Sequence, residues 1–317
     1  MLSAAILEAA YERVRPYVRR TPLVAMTPTG LGLKAESLQP TGAFKLRGAF
    51  NAILSLGQEA RARGVVAHSS GNHAQAVAYA ANVLSVRAVI VMPENAPAVK
   101  REGTQRWGAE IVTVAPGGSE RARRAAELAA ERGLTPIPPF NSLDIIAGAA
   151  GVGLEILQDR PNVERIYVSV SGGGQIAGVA AAVAAFRPHV EVVAVEPALS
   201  GHASASLAAG HPVAVSDAEA GRTIADGLRV SRLGEASWAI VKSVVQRAIA
   251  VTDEEITAAM RRIAAEARLV AEPSGAAAIA GALKDRSPTD ESVAVLSGGN
   301  VDPALFASIL LGGERGA

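Results

Sequence analysis

The amino-acid sequence predicts an α/β fold built on mostly parallel sheets. Short β-branched apolar runs alternate with alanine-rich segments of helical character along the 317 residues. The apolar runs are nearly continuous, which is typical of parallel strands that helices cover on both faces. A chain of this length buries a substantial core, as one large domain or two ordinary ones.

The order of these segments predicts two units. The predicted strands cover residues 33–36, 64–68, 88–92, 111–114, 166–170, 190–195 and 292–296. The predicted helices cover residues 3–14, 46–56, 72–82, 98–107, 119–132, 152–158, 175–186, 253–267, 275–284 and 303–311. Prolines at positions 136, 138 and 139 mark a boundary after three or four β/α units. We therefore expect residues 51–143 to form a small inserted α/β domain, and residues 1–50 and 144–317 to form a large one.

The composition argues against several classes of partner. The chain carries 31 basic and 30 acidic residues, so it lacks the basic excess of proteins that bind nucleic acids or anionic membranes. Only 3% of its residues are aromatic, which argues against a surface that stacks bases. Cysteine is absent, which excludes disulfides, thiolate metal sites and cysteine nucleophiles. We expect a cytoplasmic protein that binds a small molecule.

One uncharged stretch, residues 166–186, is long enough to cross a membrane. Serines, three glycines and a glutamine interrupt it, so a strand, a loop and a helix fit it better. The N-terminal segment has no apolar signal core, and we expect neither an export signal nor a membrane contact.

Three consecutive glycines follow the predicted strand at residues 166–170, in the sequence Ser171-Gly172-Gly173-Gly174. Glycines let the backbone approach a ligand closely. The unpaired N–H groups at the start of the next helix favour negative charge. This loop predicts that the chain binds a phosphorylated ligand.

Polar loops also follow three other predicted strands. They are Ser69-Ser70-Gly71-Asn72-His73, Glu196-Pro197 and Ser297-Gly298-Gly299-Asn300. Each loop alone is explained by the tendency of Gly, Ser and Asn to form turns. Because ligands bind at the carboxyl ends of parallel strands, the four loops together predict one shared cleft.

Lys45 is one of only five lysines and lies directly after Phe44 at the start of a predicted helix. Partial burial and the positive end of the helix dipole would both lower the pKa of its amine. A lysine that is neutral near pH 7 forms Schiff bases and acts as a base. The residues alone also allow an ordinary lysine whose amine reaches water.

Several motifs together resemble the fold-type II pyridoxal-phosphate enzymes, in their serine/threonine dehydratase and serine racemase branch. Residues 41–49, Thr-Gly-Ala-Phe-Lys-Leu-Arg-Gly-Ala, resemble the motif of the Schiff-base lysine. The loops at residues 69–73, 171–174 and 297–300 resemble the loops around the cofactor ring, its phosphate and its pyridine nitrogen. Further matches in family order lie at residues 20–23, 36–39, 195–197, 223–227 and 272–275.

The resemblance implies two open, mostly parallel twisted sheets flanked by helices, with pyridoxal 5′-phosphate in the cleft between a large and a small domain. It implies that Lys45 holds the cofactor as a Schiff base and that Ser70 is a second acid or base on the opposite face. The remaining cofactor contacts would come from Phe44, Asn72, Ser171, Gly172, Gly173, Gly174 and Ser297. The substrate carboxylate would meet Ser69, Ser70, Asn72 and His73. A homodimer is also implied.

The activity implied is α,β-elimination from L-threonine or L-serine, which yields a 2-oxo acid and ammonia. A serine hydroxyl such as that of Ser297 is too weak an acid to keep the pyridine nitrogen protonated. This suits elimination better than transamination. Serine racemase remains an alternative, because Ser70 would permit proton transfer on both faces. Hydroxyaspartate dehydratase remains another, because the substrate is left open.

Two departures from the family pattern bear on the site. The family's Gly-Gln-Gly-Thr run is Gly148-Ala149-Ala150-Gly151 here, which leaves one expected wall of the pocket undefined. The family's cation site often uses a glutamate and an aspartate six residues later, but here Glu196 is followed by His202. Because hard cations prefer oxygen ligands, Glu196 and Ser200 are only weak metal candidates.

Three rival interpretations remain. A dinucleotide-binding dehydrogenase fits the glycine loop with Glu196 at the end of the next strand, but leaves Lys45 without a role. A β-replacement or threonine synthase relative would usually carry Lys-Asp-Arg where this chain has Lys45-Leu46-Arg47. A non-catalytic phosphate-binding module would not need Lys45, Asn72 and Ser297 together.

Overall fold

The computed structural model describes residues 2–69, 71–96, 98–116, 118–285 and 291–312, so Ser70 lies outside the described residues. The strands are β1 Leu23–Ala25, β2 Gly32–Ala35, β3 Val65–His68, β4 Ala88–Pro93, β5 Glu110–Val114, β6 Thr135–Pro136, β7 Arg165–Ser169, β8 Glu191–Pro197, β9 Ala248–Val251 and β10 Ser292–Leu296. The helices are α1 Ala4–Val14, α2 Lys45–Leu54, α3 Gln58–Arg63, α4 Asn72–Val83, α5 Ala98–Gln105, α6 Gly118–Arg132, α7 Leu143–Ala149, α8 Gly151–Asp159, α9 Gly174–Phe186, α10 His202–Ala209, α11 Asp217–Ala220, α12 Glu235–Val244, α13 Asp253–Arg262, α14 Pro273–Lys284 and α15 Pro303–Leu310. Short 3-10 turns cover Glu36–Leu38, Ala198–Ser200 and Asp226–Leu228, and a π-helical turn covers Ile263–Ala267.

Two sheets organise these elements. The larger has the strand order β1-β2-β10-β7-β8-β9 and the smaller β5-β4-β3-β6. Only the β1–β2 pair is antiparallel among the described strand pairs. This confirms the predicted fold class. The strands of the smaller sheet come from residues 65–136, while the proposed domain limits at residues 51 and 143 stay a prediction.

Both sheets are covered on both faces, which explains the continuous apolar runs. In β7, Ile166 and Val168 belong to one buried cluster and Tyr167 to the cluster on the other face. In β3, Val65 and Val66 likewise point into different clusters. Because alternate side chains point to opposite faces, a strand buried on both faces is mostly apolar along its length.

The structure differs from the predicted elements mainly where the elements are short. The strands β1, β6 and β9 were not predicted; β6 has two residues and contains Pro136, and β9 is only partly buried. The helices α3, α7, α10, α11 and α12 were not predicted either. The uncharged stretch at residues 166–186 divides into β7 and α9, as predicted. No helix within the described ranges is long and apolar enough to cross a membrane.

A buried ion cluster joins the start of α2 to the rest of the large sheet. The guanidinium of Arg47 donates two hydrogen bonds to Glu36, both 2.8 Å long, and two to Glu155, 2.8 and 2.7 Å long. The amine of Lys34 lies 2.6 Å from Glu155 and donates to the carbonyl oxygen of Thr21 at 2.6 Å. Two cations therefore balance two carboxylates, all at most 1% exposed.

The cluster fixes the charges of its members. Burial alone would raise the pKa of the Glu36 carboxyl, but the charge and hydrogen bonds of Arg47 hold it below its ordinary value. The two carboxylates raise the pKa of Arg47 above its ordinary value despite burial. Such a cluster need not add net stability, yet removal of one partner leaves a buried charge uncompensated.

We predict that Arg47→Met destabilises the fold by about 3–5 kcal/mol, because Glu36 and Glu155 would then share only Lys34. Urea unfolding of the purified chain measures this effect as a shift of the midpoint. The control is Arg15→Met directly after α1, where an exposed Arg15 lies 3.2 Å from Glu12. A midpoint shift for Arg47→Met no larger than that of the control would contradict the prediction.

Candidate active site

A cavity of about 670 Å³ opens at the carboxyl ends of β3, β7 and β10. The loops after these strands contribute Ser69, Gly71 and Asn72, then Ser171–Gly174, and finally Ser297. Three of the four polar loops therefore share one cleft, as predicted. The small-sheet elements supply the opposite wall, with Lys100 on α5 and Arg121 on α6.

The glycine loop is shaped by close contacts that no side chain would allow. A β-carbon at Gly172 would lie 2.3 Å from the ring of Phe140. Gly173 has a φ of +92°, and a β-carbon there would lie 2.7 Å from Leu233 and 2.8 Å from Ser237. Gly173 is followed directly by the first turn of α9, whose N–H groups have no partners within the helix. The loop is thus a preformed cradle for an anion.

Two polar side chains beside this cradle lack partners among the described residues. They are the hydroxyl of Ser237 on α12 and the amide nitrogen of Gln175 on α9. Both atoms are buried, and buried donors without partners are costly. Gln175 lines the cavity, so its amide and the glycine N–H groups together fit a phosphate, while Ser237 packs behind the loop against Gly173.

The amine of Lys45 faces the same cavity from the first residue of α2. It donates to the carbonyl oxygen of Pro139 at 2.7 Å and lies 5.2 Å from the centre of the Phe44 ring. Burial lowers the pKa of Lys45 to about 8. This confirms the predicted direction, and it gives the amine a neutral fraction at physiological pH.

The loop after β10 fixes the segment that carries Lys45. The N–H of Phe44 donates to the carbonyl oxygen of Ser297 at 3.0 Å, and the N–H of Gly299 to that of Gly42 at 2.9 Å. Ala43 and Gly298 form an isolated antiparallel bridge. Ser297 is 6% exposed and lines the cavity. The lysine and the Ser297 loop therefore form one rigid wall.

Asn72 is oriented from both ends of its amide. Its nitrogen donates to Glu272, and its oxygen accepts from Asn300 at 2.8 Å. Asn300 also donates to the carbonyl oxygen of Thr41 at 2.8 Å. Burial raises the pKa of Glu272 to about 7, even though the charge of Lys100 opposes this shift. One N–H of the Asn72 amide is used by Glu272, which leaves the second for a ligand.

Burial lowers the pKa of both histidines at this end of the cavity. Burial, and then the charge of Lys45, lower the pKa of His73 to about 3. The Nε2 of His73 lies 2.9 Å from the carbonyl oxygen of Ile137, so this nitrogen carries the proton and Nδ1 is left as an acceptor. The neutral ring offers no donor to a carboxylate, so a carboxylate contact of His73 would have to come from its backbone N–H. His68 also lines the cavity, and burial lowers its pKa.

Two expected features of the cavity wall lie elsewhere. Glu196 and Pro197, expected to form a loop, are the last residues of β8 and do not line the cavity, because Glu196 points at the N-terminus of α10 and accepts from the N–H groups of Ala203 and Ser204. Residues 148–151, which the family resemblance placed at a wall, form the buried junction of α7 and α8 instead. A β-carbon at Gly148 would lie 2.5 Å from the carbonyl oxygen of Arg47.

Comparison with known proteins agrees with this geometry. Residues 14–298 match the family described as pyridoxal-phosphate dependent enzyme. The chain belongs to this family. It is therefore an enzyme of the fold-type II class, and its cofactor is pyridoxal 5′-phosphate. The family favours a pyridoxal phosphate over a dinucleotide as the ligand of the glycine loop.

Three relatives show how far the similarity extends. The L-threo-3-hydroxyaspartate ammonia-lyase of Saccharomyces cerevisiae is 37% identical over 319 residues and covers 98% of this chain and 97% of that protein. The structure of maize serine racemase has a TM-score of 0.90 and 36% identity, over 98% of this chain and 97% of the other. The structure of the threonine deaminase of T.th. has a TM-score of 0.88 and 38% identity, over 95% of this chain and 99% of the other.

Several residues at the site were not predicted from the sequence. Arg121 lies in an arginine-rich helix whose sequence is typical of a solvent-exposed surface. Ser237 and Phe140 belong to no recognisable motif. Their positions follow from tertiary packing, which a single sequence does not reveal. Lys100 and Asp226 form an ion pair across the mouth of the cavity, although the sequence separates them by 126 residues.

We predict that the amine of Lys45 titrates near pH 8 in enzyme freed of cofactor. Only the neutral amine reacts with an acylating reagent, so acetylation of Lys45 should rise through pH 8 and level off by about pH 9, against an ordinary lysine pKa of about 10.4. Competitive labelling across pH, read by peptide mass spectrometry, measures this with exposed Lys242 as the internal reference. A half-maximal rate above about pH 10 for Lys45, the ordinary lysine range, would refute the desolvation argument.

Proposed function

We propose that this enzyme eliminates water from L-serine or L-threonine and releases a 2-oxo acid and ammonia. The observation that carries the proposal is the meeting of Lys45, Asn72, the glycine cradle and Ser297 in one cavity. The names of the relatives support it, since they include a threonine deaminase and a hydroxyaspartate ammonia-lyase.

Each of these residues has its own role in the proposed reaction. When bound, pyridoxal phosphate withdraws electrons from the α-carbon of the amino acid. Lys45 holds the cofactor and later removes the proton from the α-carbon, which its lowered pKa allows near neutral pH. The N–H groups of Gly172, Gly173 and Gly174, with the hydroxyl of Ser171 and the side-chain amide of Gln175, would hold the phosphate.

The other contacts would set the orientation of the cofactor and the strength with which its ring withdraws electrons. The second N–H of the Asn72 amide would bind the ring oxygen, and the ring of Phe44 would pack beside the pyridine. The hydroxyl of Ser297 would bind the pyridine nitrogen without charging it, because a hydroxyl is a weak acid. A weaker electron sink favours elimination, in which the departing hydroxide takes up the charge, over transamination.

The substrate carboxylate is held at the start of α4. Ser69 anchors this loop, since its hydroxyl accepts from the N–H of Gly71 at 3.2 Å. The N–H groups of the first turn of α4, including those of Asn72 and His73, point toward an anion there. We assign Ser70, outside the described residues, to the same loop and to proton transfer on the opposite face.

We predict that purified enzyme forms 2-oxo acid from L-serine or L-threonine, and that Lys45→Ala lowers the rate by at least roughly 10²–10⁴-fold because the base is lost. A coupled assay for the 2-oxo acid measures it, with chiral chromatography of the remaining amino acid to detect racemisation. Lys242→Ala, at an exposed position, is the control. Wild-type enzyme that forms no 2-oxo acid from these substrates or from 3-hydroxyaspartate would rule out the proposed elimination.

A specific observation favours 3-hydroxyaspartate as a second candidate substrate. Arg121 lines the cavity, and its buried Nε has no hydrogen-bond partner among the described residues. Burial lowers the pKa of Arg121 from its ordinary value, and exposed Asp217 is the carboxylate that opposes this shift. A guanidinium with an unused donor binds a carboxylate well, and of the candidate substrates only hydroxyaspartate carries a second one.

We predict that Arg121→Met lowers kcat/KM for L-threo-3-hydroxyaspartate by roughly 10–100-fold, the value of hydrogen bonds to a charged group, and spares L-serine. The matched control is Arg124→Met on the same helix, where Arg124 pairs with Glu127 and Glu131. Equal losses for both substrates would show that Arg121 does not select the second carboxylate.

A further inference from the structure

His202 lies directly behind the glycine loop, and its side chain is fully buried. Its Nδ1 is 2.7 Å from the carbonyl oxygen of Ser200, and its Nε2 is 2.9 Å from that of Ser171. A carbonyl oxygen only accepts hydrogen bonds, so Nε2 donates the one to Ser171. The ring is held between the two carbonyls, with the hydroxyl of Ser200 3.3 Å from Nδ1.

Glu196 lies beside this ring. One of its carboxylate oxygens lies 3.8 Å from the Nδ1 of His202, and both side chains are 0% exposed. The same carboxylate accepts from the N–H of Ala203 at 2.7 Å, from the N–H of Ser204 at 2.8 Å and from the Ser204 hydroxyl. Glu196 thus binds the N–H groups at the start of α10.

These contacts do not fit the divalent cation that the family resemblance places between Glu196 and residue 202. A hard cation needs several oxygen ligands at once. Both oxygens of Glu196 already have donors, and the carbonyl oxygen of Ser200 is taken by His202. No cluster of three metal-binding side chains occurs within the described ranges.

We propose that His202 is a positioning residue that fixes the glycine loop through the carbonyl oxygen of Ser171, and that its side chain stands where a metal ion would otherwise bind. The carbonyl of Ser171 and the N–H of Gly172 belong to one peptide plane, so this contact sets the direction of the first N–H that the loop offers. The proposal rests on the assignment of this loop to the cofactor phosphate. It goes beyond that assignment, because it makes the enzyme independent of divalent cations.

The first test uses wild-type holoenzyme. Its melting temperature and its dissociation constant for pyridoxal phosphate, read from the visible absorbance of the bound cofactor, should be the same in EDTA, Ca²⁺ and Mg²⁺. A lower melting temperature or weaker cofactor binding in EDTA, restored by either cation, would overturn the proposal. Wild-type enzyme that binds no pyridoxal phosphate under any condition would contradict the proposed function instead.

The second test uses His202→Leu, which has no donor, with His211→Leu as the control because His211 is exposed in a nearby loop. The first variant should bind pyridoxal phosphate roughly tenfold or more weakly, because the carbonyl oxygen of Ser171 loses its donor. The control should bind it like wild type. Equal affinities for the two variants would show that His202 does not position the loop.

A third variant tests the proposal if His202→Leu does not fold. His202→Asp brings a second carboxylate opposite Glu196 and frees the carbonyl oxygen of Ser200, which creates a set of oxygen ligands. Its melting temperature should fall in EDTA and recover with Ca²⁺ or Mg²⁺. A variant that melts like wild type in EDTA and ignores both cations would contradict the role given to the His202 side chain.

Discussion

The buried contact of Arg47 with Glu36 and Glu155 is the constraint on which the site depends. It ties the start of α2 to the segment after β2 and to α8, so α2 has one position and one rotation. Residues two apart on a helix point to different sides. With Arg47 anchored in the core, Lys45 is directed to the cavity, where its amine donates to the carbonyl oxygen of Pro139. A carboxylate beside Lys45 would hold it in place but would also keep its amine protonated. The charged cluster holds the helix instead, so Lys45 keeps its position and its lowered pKa.

The glycine loop is fixed in a comparable way, from both sides. On the cavity side the ring of Phe140 lies against Gly172, and a β-carbon there would be 2.3 Å from it. On the core side His202 holds the carbonyl oxygen of Ser171. The N–H of Gly234, directly before α12, donates to the carbonyl oxygen of Gly172 at 3.1 Å. A loop held at both faces presents its N–H groups without rearrangement, and preorganised donors of this kind stabilise charge at little cost. The phosphate cradle is therefore a property of packing as much as of the glycines.

The sequence predicted the sheet type, the central strands and the residues of the cofactor motifs, because those signals are local. Buried parallel strands leave continuous apolar runs, as in β10, and strand-end loops are rich in glycine and serine. Short strands such as β6 leave no such pattern. Residues that reach the cavity from another element, such as Arg121, cannot be distinguished from surface residues in the sequence alone. The role of His202 was hidden for the same reason: the sequence showed that an aspartate was missing, but the contact with Ser171, 31 residues away, exists only in the folded chain.

The central claim is that Lys45, alone among the five lysines, carries the cofactor. Lys34, Lys100 and Lys284 are paired with carboxylates, and Lys242 lies on the surface. Reduction of the holoenzyme with borohydride, followed by peptide mass spectrometry, locates the lysine bound to pyridoxal phosphate. The account predicts a single modified peptide that contains Lys45. Modification of Lys100 in the same cavity, or of no lysine at all, would contradict it.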